Sequence, residues 1–573
     1  MATISTGSKD ASEPNGAALV RRVWIGLAAL VLLAAALRWP ASTRLLPHSP
    51  EPDTYIVQLA QDYRGDPALI QHVEYAERYP VLLARLLATI PWPAPQIDSA
   101  QPDAADAMLR AGAAPYLAGR WLVLAMSLLA IPGTWLVARR LAGEPAAWIA
   151  SALVATSMLH ALFSTQARPH APQAAIAVFA AWAAMRVAER PTSKRCAAAV
   201  VLASLSIATL QIGASTLPPL LVGAWLGGGT IAKRVGRAFL LPALAILGAL
   251  WAYPFALNVR ENGLRLGGSG AHELNFAAAD FTGFGELARR LAEHDPALLL
   301  FAAGGLASVL FRWRTSTRAV VANRDVTVAC ASAIPFLAVV GPLNEVFERF
   351  LLPILPWIAI LGAAVLVRLA GPRPRAVALV AGVAMLAPLL LLAHFARVSA
   401  APDSGELVAR WLAEQPDARD AVVAASPGLV LPLPFDARSL TIDLADKAGR
   451  TSVWPQYQGT RPDYEFPAMR LAHYMTPGRL AQKPEEGLTA WLDELNPRYV
   501  VIERTKKNLF LAGGRELYAL AQQRGTLVYR TTGEAPGIEQ LGLLHYQAMD
   551  GYVRRLLRTE RFGAAIEVWR LGP

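Results

Sequence analysis

Three short stretches gather the residues that could do chemistry. The first is His48-Ser49-Pro50-Glu51-Pro52-Asp53-Thr54-Tyr55, two carboxylates in a run whose prolines restrict the backbone. A carboxylate held this stiffly can take a proton from a hydroxyl or an amine as a new bond forms. Asp53 can equally cap the helix expected after it, a role that aspartate favours. The second stretch, Ser164-Thr165-Gln166-Ala167-Arg168-Pro169-His170-Ala171-Pro172, carries a cation and an imidazole. The Arg168 guanidinium is a permanently charged fork of donors that suits phosphate or carboxylate, or it snorkels at a membrane interface. His170 can serve as base, acid, metal ligand or polar first residue of a helix. The third stretch runs from Gly341 to Pro356, where Arg349 stands beside Glu345 and Glu348 and can bind a phosphate or pair with a glutamate.

The elements that must position these residues are membrane helices. Hydrophobic residues make up 54% of the 573 and charged residues only 17%, against about 25% charged in soluble domains. Apolar runs of spanning length recur over the first 400 or so residues. They predict eleven spans, at roughly 23–39, 116–138, 146–163, 171–188, 196–214, 215–229, 237–257, 296–312, 326–343, 350–369 and 375–395. The net charge of +11 sorts to one face. Clusters such as Arg21-Arg22, Arg139-Arg140, Lys233-Arg234 and Arg373 with Arg375 fall in one set of loops, and the short loops of the other set hold only Arg168 and Arg349. The positive-inside rule makes the first set cytoplasmic, with residues 1–22 inside. The charge therefore needs no nucleic acid to explain it. Between span ends there is no Asp, Glu or Lys, which disfavours an ion-coupled transporter.

This organisation gives a multi-spanning membrane domain over 23–397, with large outer loops at 40–115 and 258–295. The three chemical stretches all fall on its outer side. In the first loop, helices are expected near Asp53–Tyr63 and Pro67–Ile90, the second broken by Pro80. In the next loop a helix is expected near Phe284–Leu291. Residues 398–573 have the composition of a soluble domain. Short β-rich runs (Ala421–Ala425, Ser439–Ile442, Tyr499–Glu503, Leu527–Thr531, Ile566–Leu571) alternate there with the helical patterns Gly405–Glu414, Glu486–Leu495 and Glu516–Gln523. They predict an extracytoplasmic α/β domain. It lacks a nucleotide loop, metal-spaced His/Cys and a nucleophile elbow, and serves as a lid, an acceptor platform or a structural part. The two cysteines, Cys196 and Cys330, both lie near cytoplasmic span ends, so no disulfide framework is expected outside.

Taken in order, several positions resemble a known family. They are Pro52-Asp53 in the first outer loop, Gly119-Arg120, Ala138-Arg139-Arg140-Leu141, Ala167-Arg168-Pro169, and Arg349-Phe350-Leu351-Leu352-Pro353 opening a late span. With the C-terminal outer domain they resemble the GT-C glycosyltransferases, in the bacterial branch of the lipid A aminoarabinose transferase and the protein O-mannosyltransferases. The resemblance implies a polytopic α-helical fold of the cytoplasmic membrane and an inverting transfer of a sugar from a polyprenyl-phosphate carrier. The acceptor would be an envelope glycolipid, polymer or protein. Asp53 matches the family's first-loop aspartate, Arg168 and Arg349 would meet the carrier phosphate, and Glu51, Tyr55 and His170 complete the candidate substrate contacts. Thr54 stands where many relatives have a second acid, and His170 replaces the acid common after Arg-Pro. No cofactor is therefore required, although His170 can still coordinate a divalent cation. Two other classes fit less of the pattern, a lipid-linked-sugar flippase and a non-catalytic envelope scaffold.

Overall fold

The computed structural model describes residues 16–46, 54–64, 80–92, 104–252, 281–307, 323–343, 346–371, 373–418, 421–425, 429, 431, 470–473, 489–490, 492–493, 496–504, 514–533 and 551–572. Helices dominate up to residue 400. They are α1 (Gly16–Arg38), α2 (Thr54–Tyr63), α3 (Leu82–Thr89), α4 (Ala104–Leu128), α5 (Ala130–Ala142), α6 (Glu144–Thr156), α7 (Met158–Ser164), α8 (His170–Glu189), α9 (Ser193–Thr209), α10 (Leu217–Leu226), α11 (Ile231–Leu250), α12 (Thr282–His294), α13 (Pro296–Ala307), α14 (Arg324–Val340), α15 (Leu355–Ala370) and α16 (Pro374–Ala400). Four continuous helical runs among the described residues are long and apolar enough to cross a membrane: Val20–Ser42, Ala113–Ala142, His170–Glu189 and Pro374–Glu414. The bent pair α6–α7 makes a fifth, and α13 and α15 are apolar but shorter. The chain is a multi-pass membrane protein.

The third expected span, 146–163, is not one rod. It bends by 56° between α6 and α7. The Ser157 hydroxyl accepts the His160 amide at 3.1 Å and so starts a new helix. The freed amides of α7 are met by Asp295, a residue expected in an outer loop. Its carboxylate accepts Ser157 Oγ at 2.7 Å and the amides of Met158 and Leu159 at 2.8 and 3.0 Å. An anion at a helix N-terminus faces the positive end of the backbone dipoles, so the bend is stabilised where no water can be relied on. Arg38, expected as an interfacial stop after the first span, is fully buried beside this break. It donates to Ala34 O at 2.9 Å and lies 3.4 Å from His160 Nδ1.

Two sequence motifs turn out to be structural pins. Arg140 of Ala138-Arg139-Arg140-Leu141 makes a forked bond to Asp325 on α14, at 3.0 and 3.1 Å, and reaches Glu189 on α8 at 3.2 Å. Three helices are tied at one end. In Gly119-Arg120, the buried guanidinium donates to the carbonyls of Ser42 and Arg44 at 3.0 and 2.8 Å. Trp121 adds a bond to Ser42 Oγ at 3.2 Å and stacks on Trp39. Together they fix the chain where it leaves the first helix.

The described tail forms a five-stranded sheet in the order β2-β1-β3-β5-β4. Its strands are β1 (Val422–Ala425), β2 (Arg470–His473), β3 (Tyr499–Glu503), β4 (Gly525–Arg530) and β5 (Ile566–Leu571). β1 pairs in parallel with β2 and β3, whereas β5 runs antiparallel between β3 and β4. The β-branched and aromatic runs at β3 and β5 meet the sequence expectation residue for residue. β2 had no such signal, and the expected strand Ser439–Ile442 lies outside the described residues. Helices α17 (Ser404–Glu414) and α18 (Gly514–Arg524) flank the sheet; Trp411 of α17 stacks on Tyr529 of β4. Helix α19 (Tyr552–Leu556) and Phe562 leave the sheet and join the core of the membrane helices. Arg44 lies there with its guanidinium 5.4 Å from the Phe395 ring and 5.3 Å from that of Phe562.

Candidate active site

The site is assembled from two turns and one helix. The turn between α7 and α8 exists because Pro169 has no amide hydrogen and forces Arg168 out of the helical region. Arg168 bonds its amide to Gln166 O at 2.7 Å, and His170 then opens α8. A 3-10 turn at Glu348–Leu351 between α14 and α15 presents Arg349, which is buried against the rings of Phe347 and Phe350 at 4.1 and 5.6 Å. Helix α12 packs on this turn and supplies Arg290, itself buried and braced by Glu286 and Glu293 at 3.8 and 3.5 Å.

These pieces converge electrostatically. Both Arg349 and Arg168 act on the His170 ring, and Arg349, Arg290 and Arg168 all act on the Glu348 carboxyl. Burial pushes Glu348 above the usual carboxylate range, and its own backbone amide and then the three guanidiniums pull it only part of the way back; that amide lies outside hydrogen-bond geometry. Glu348 is fully buried, and neither of its oxygens has a hydrogen-bond partner among the described residues. Glu345, the other glutamate that the sequence offers to Arg349, lies outside the described residues. Arg289 pairs with the same two glutamates that brace Arg290, so four guanidiniums face three carboxylates and the cluster is positive on balance, the condition for holding an anion.

Arg168, His170 and Arg349, three of the residues expected from sequence, are thus brought together. Asp53 and Glu51 lie outside the described residues. Tyr55 is in the first turn of α2, and its side chain is likewise outside them. The body that carries α2 is nevertheless tied to the Arg168 turn. Ile56 and Val57 share a core with Leu83, Leu87, Tyr116 and Ala167. A Cβ placed on Gly119 would stand 3.0 Å from Ala167 Cβ, 3.3 Å from Leu87 Cδ2 and 3.6 Å from Val57 Cγ2. Glycine there is what lets α2, α3 and the Arg168 turn meet on α4.

Arg290 and Glu348 are the residues that sequence reasoning missed. Around Phe284–Leu291 only a helix was expected, because Glu286, Arg289, Arg290 and Glu293 at helical spacing carry no mark of a site, and Glu348 read only as a partner for its neighbour. Among the described residues no group of three or more His, Cys, Asp or Glu could hold a metal ion. His170 and Glu348 stand among guanidiniums, a donor set that suits an anion and repels a dication.

No protein-family model and no curated protein matches the chain. Solved structures do. One is the ArnT of Cupriavidus metallidurans bound to undecaprenyl phosphate, at 13% identity over 88% of this chain and 96% of that one, with a TM-score of 0.48. Another is the archaeal oligosaccharyltransferase AglB of Archaeoglobus fulgidus in complex with an inhibitory peptide and a dolichol-phosphate, at 14% identity over 89% and 73%, with a TM-score of 0.46. Both neighbours are GT-C glycosyltransferases, the class that the sequence of this chain resembles.

Proposed function

We propose that the chain is an integral-membrane glycosyltransferase that moves a sugar from a polyprenyl-phosphate carrier to an envelope glycolipid, polymer or protein. The observation that carries the reading is the convergence of Arg168 and Arg349, at the ends of apolar helices, with Arg290 of the amphipathic α12. A lipid-anchored phosphate is the anion that such a location serves. In this reading the eleven-span topology holds, the cluster faces out of the cytoplasmic membrane, and the tail sheet belongs to an extracytoplasmic α/β domain.

The chemistry needs little covalent help. An acceptor oxygen or nitrogen attacks the anomeric carbon on the face opposite the carrier, so the configuration inverts. The bond from that carbon to the phosphate oxygen breaks, and the electron pair stays on the carrier phosphate. The arginines stabilise the charge that develops there. Asp53 takes the acceptor proton, with Glu51 and Tyr55 beside it as substrate contacts, and His170 lies against the phosphate-binding cations. The buried acid that the structure adds, Asp295, is saturated by its three donors and offers no open ion path, so it lends nothing to a flippase reading.

The test is mass spectrometry of polyprenyl lipids and envelope glycans from cells with the native chain, with none, or with Asp53→Asn. A sugar should vanish from a glycan and its polyprenyl-linked donor should accumulate in both altered strains. Native glycans in the Asp53→Asn strain would remove Asp53 from the mechanism.

A further inference from the structure

The Glu348 carboxylate is out of place in a site built only for phosphate. A carboxylate accepts hydrogen bonds and gives none, and it repels the anion that the surrounding arginines attract. Yet it is wholly buried with both oxygens unpartnered among the described residues, and the charged groups acting on it are Arg349, Arg290 and Arg168. Leaving such a group unsatisfied is costly, so a ligand that completes the site should bring donors to it. Two further buried atoms of the neighbouring turn, Gln166 Oε1 and His170 Nδ1, also lack a partner among the described residues. What satisfies all of these is a molecule with a phosphate and, a few bonds away, several hydroxyl or ammonium groups.

We propose that Glu348 reads the sugar of a glycosyl phosphodiester, accepting hydrogen bonds from its hydroxyl or amino groups while Arg168, Arg290 and Arg349 hold the phosphate. The assignment rests on the polyprenyl-phosphate-sugar reading above and adds which part of the donor this side chain meets. It has a consequence of opposite sign for substrate and product. The donor is a phosphodiester with one negative charge and many donors. The spent carrier is a phosphomonoester with more charge and no sugar. Glu348 therefore favours the loaded carrier and helps release the empty one.

The experiment measures affinity of the purified full chain in lipid nanodiscs for undecaprenyl phosphate and for its hexosyl and aminopentosyl phosphodiesters. Native protein is compared with Glu348→Gln and Glu348→Asp, after thermal unfolding has verified that each variant is folded. In Glu348→Gln the best phosphodiester should bind about tenfold more weakly, while bare undecaprenyl phosphate should bind roughly threefold or more tightly. Glu348→Asp, which keeps the charge but withdraws it, should weaken the phosphodiester without tightening the bare carrier. If the glutamine variant does not fold, the aspartate variant decides alone. Parallel weakening of both ligands, or no change in either, overturns the role of Glu348 and leaves the carrier reading standing. Failure of the native chain to bind any of the probes overturns both.

Discussion

Removing Asp295 should loosen the membrane domain more than any other single change at its bend. Its carboxylate takes three hydrogen bonds, from Ser157 Oγ and the amides of Met158 and Leu159, and Arg38 stands near it as a buried cation. Hydrogen bonds to a charged group contribute about 1.5 to 3 kcal/mol each, but truncating one partner of a buried charged set costs about 3 to 5 kcal/mol in all. Asp295→Ala should therefore lose about 4 kcal/mol. Asp295→Asn keeps one acceptor oxygen and should lose about 2 kcal/mol, seen as an apparent Tm lower by roughly 2 °C. The assay is thermal unfolding of the detergent-solubilised chain followed by intrinsic tryptophan fluorescence. Ser157→Ala should cost little once Asp295 is gone, because both act through the same break. If Asp295→Ala unfolds within about 1 °C of the native chain, the carboxylate does not hold the bend and the reasoning from its donors is wrong.

Gly119→Ala puts a methyl 3.0 Å from Ala167 Cβ, so the Arg168 turn must shift by a few tenths of an ångström. About 1 to 2 kcal/mol of stability should be lost, with reduced turnover in the lipid-glycan assay; native turnover would show that the turn tolerates the displacement. Burial holds His294 down to about 4 from 6.5, and its ring stacks on Tyr552 at 4.7 Å. Its charged form is disfavoured in the folded chain, so the unfolded chain binds more protons between these values. Stability should fall as pH drops below 6.5 and be lower by roughly 3 kcal/mol near pH 4. His294→Phe, which keeps the stacking ring, should flatten that slope in unfolding measured from pH 7.5 to 4.5, and an unchanged slope would assign it to other groups.

The sequence carried the membrane class, the positions of most helices, and Arg168, His170 and Arg349 of the candidate site, because hydropathy and isolated polar residues at the ends of apolar runs are local signals. It did not carry the bend at Ser157. The run from Ala146 to Phe163 has no charged residue, proline or glycine; its polar residues Ser151, Thr156, Ser157 and His160 do not mark a break by themselves, and Asp295, the partner of Ser157, is remote in sequence. Arg290 and Glu348 escaped for the same reason. A Glu/Arg pattern at helical spacing looks alike whether the helix faces water or a buried turn, and only the packing of α12 on residues 348–351 separates the two. The roles of Arg120 and Arg140 were equally hidden, since the carbonyls and carboxylates they bind come from other helices.

The meeting of Arg44, Phe395 and Phe562 has a consequence for biosynthesis. Residue 44 follows α1, and residue 562 is synthesised only after every described helix from α2 to α19. The cation waits while every helix between them is made before its second aromatic wall arrives. Because α19 seats on the same core as α12, the cationic cluster gains its final support only then. A chain halted short of residue 552 would therefore hold Arg44 without the Phe562 ring and His294 of α12 without the Tyr552 ring that stacks on it.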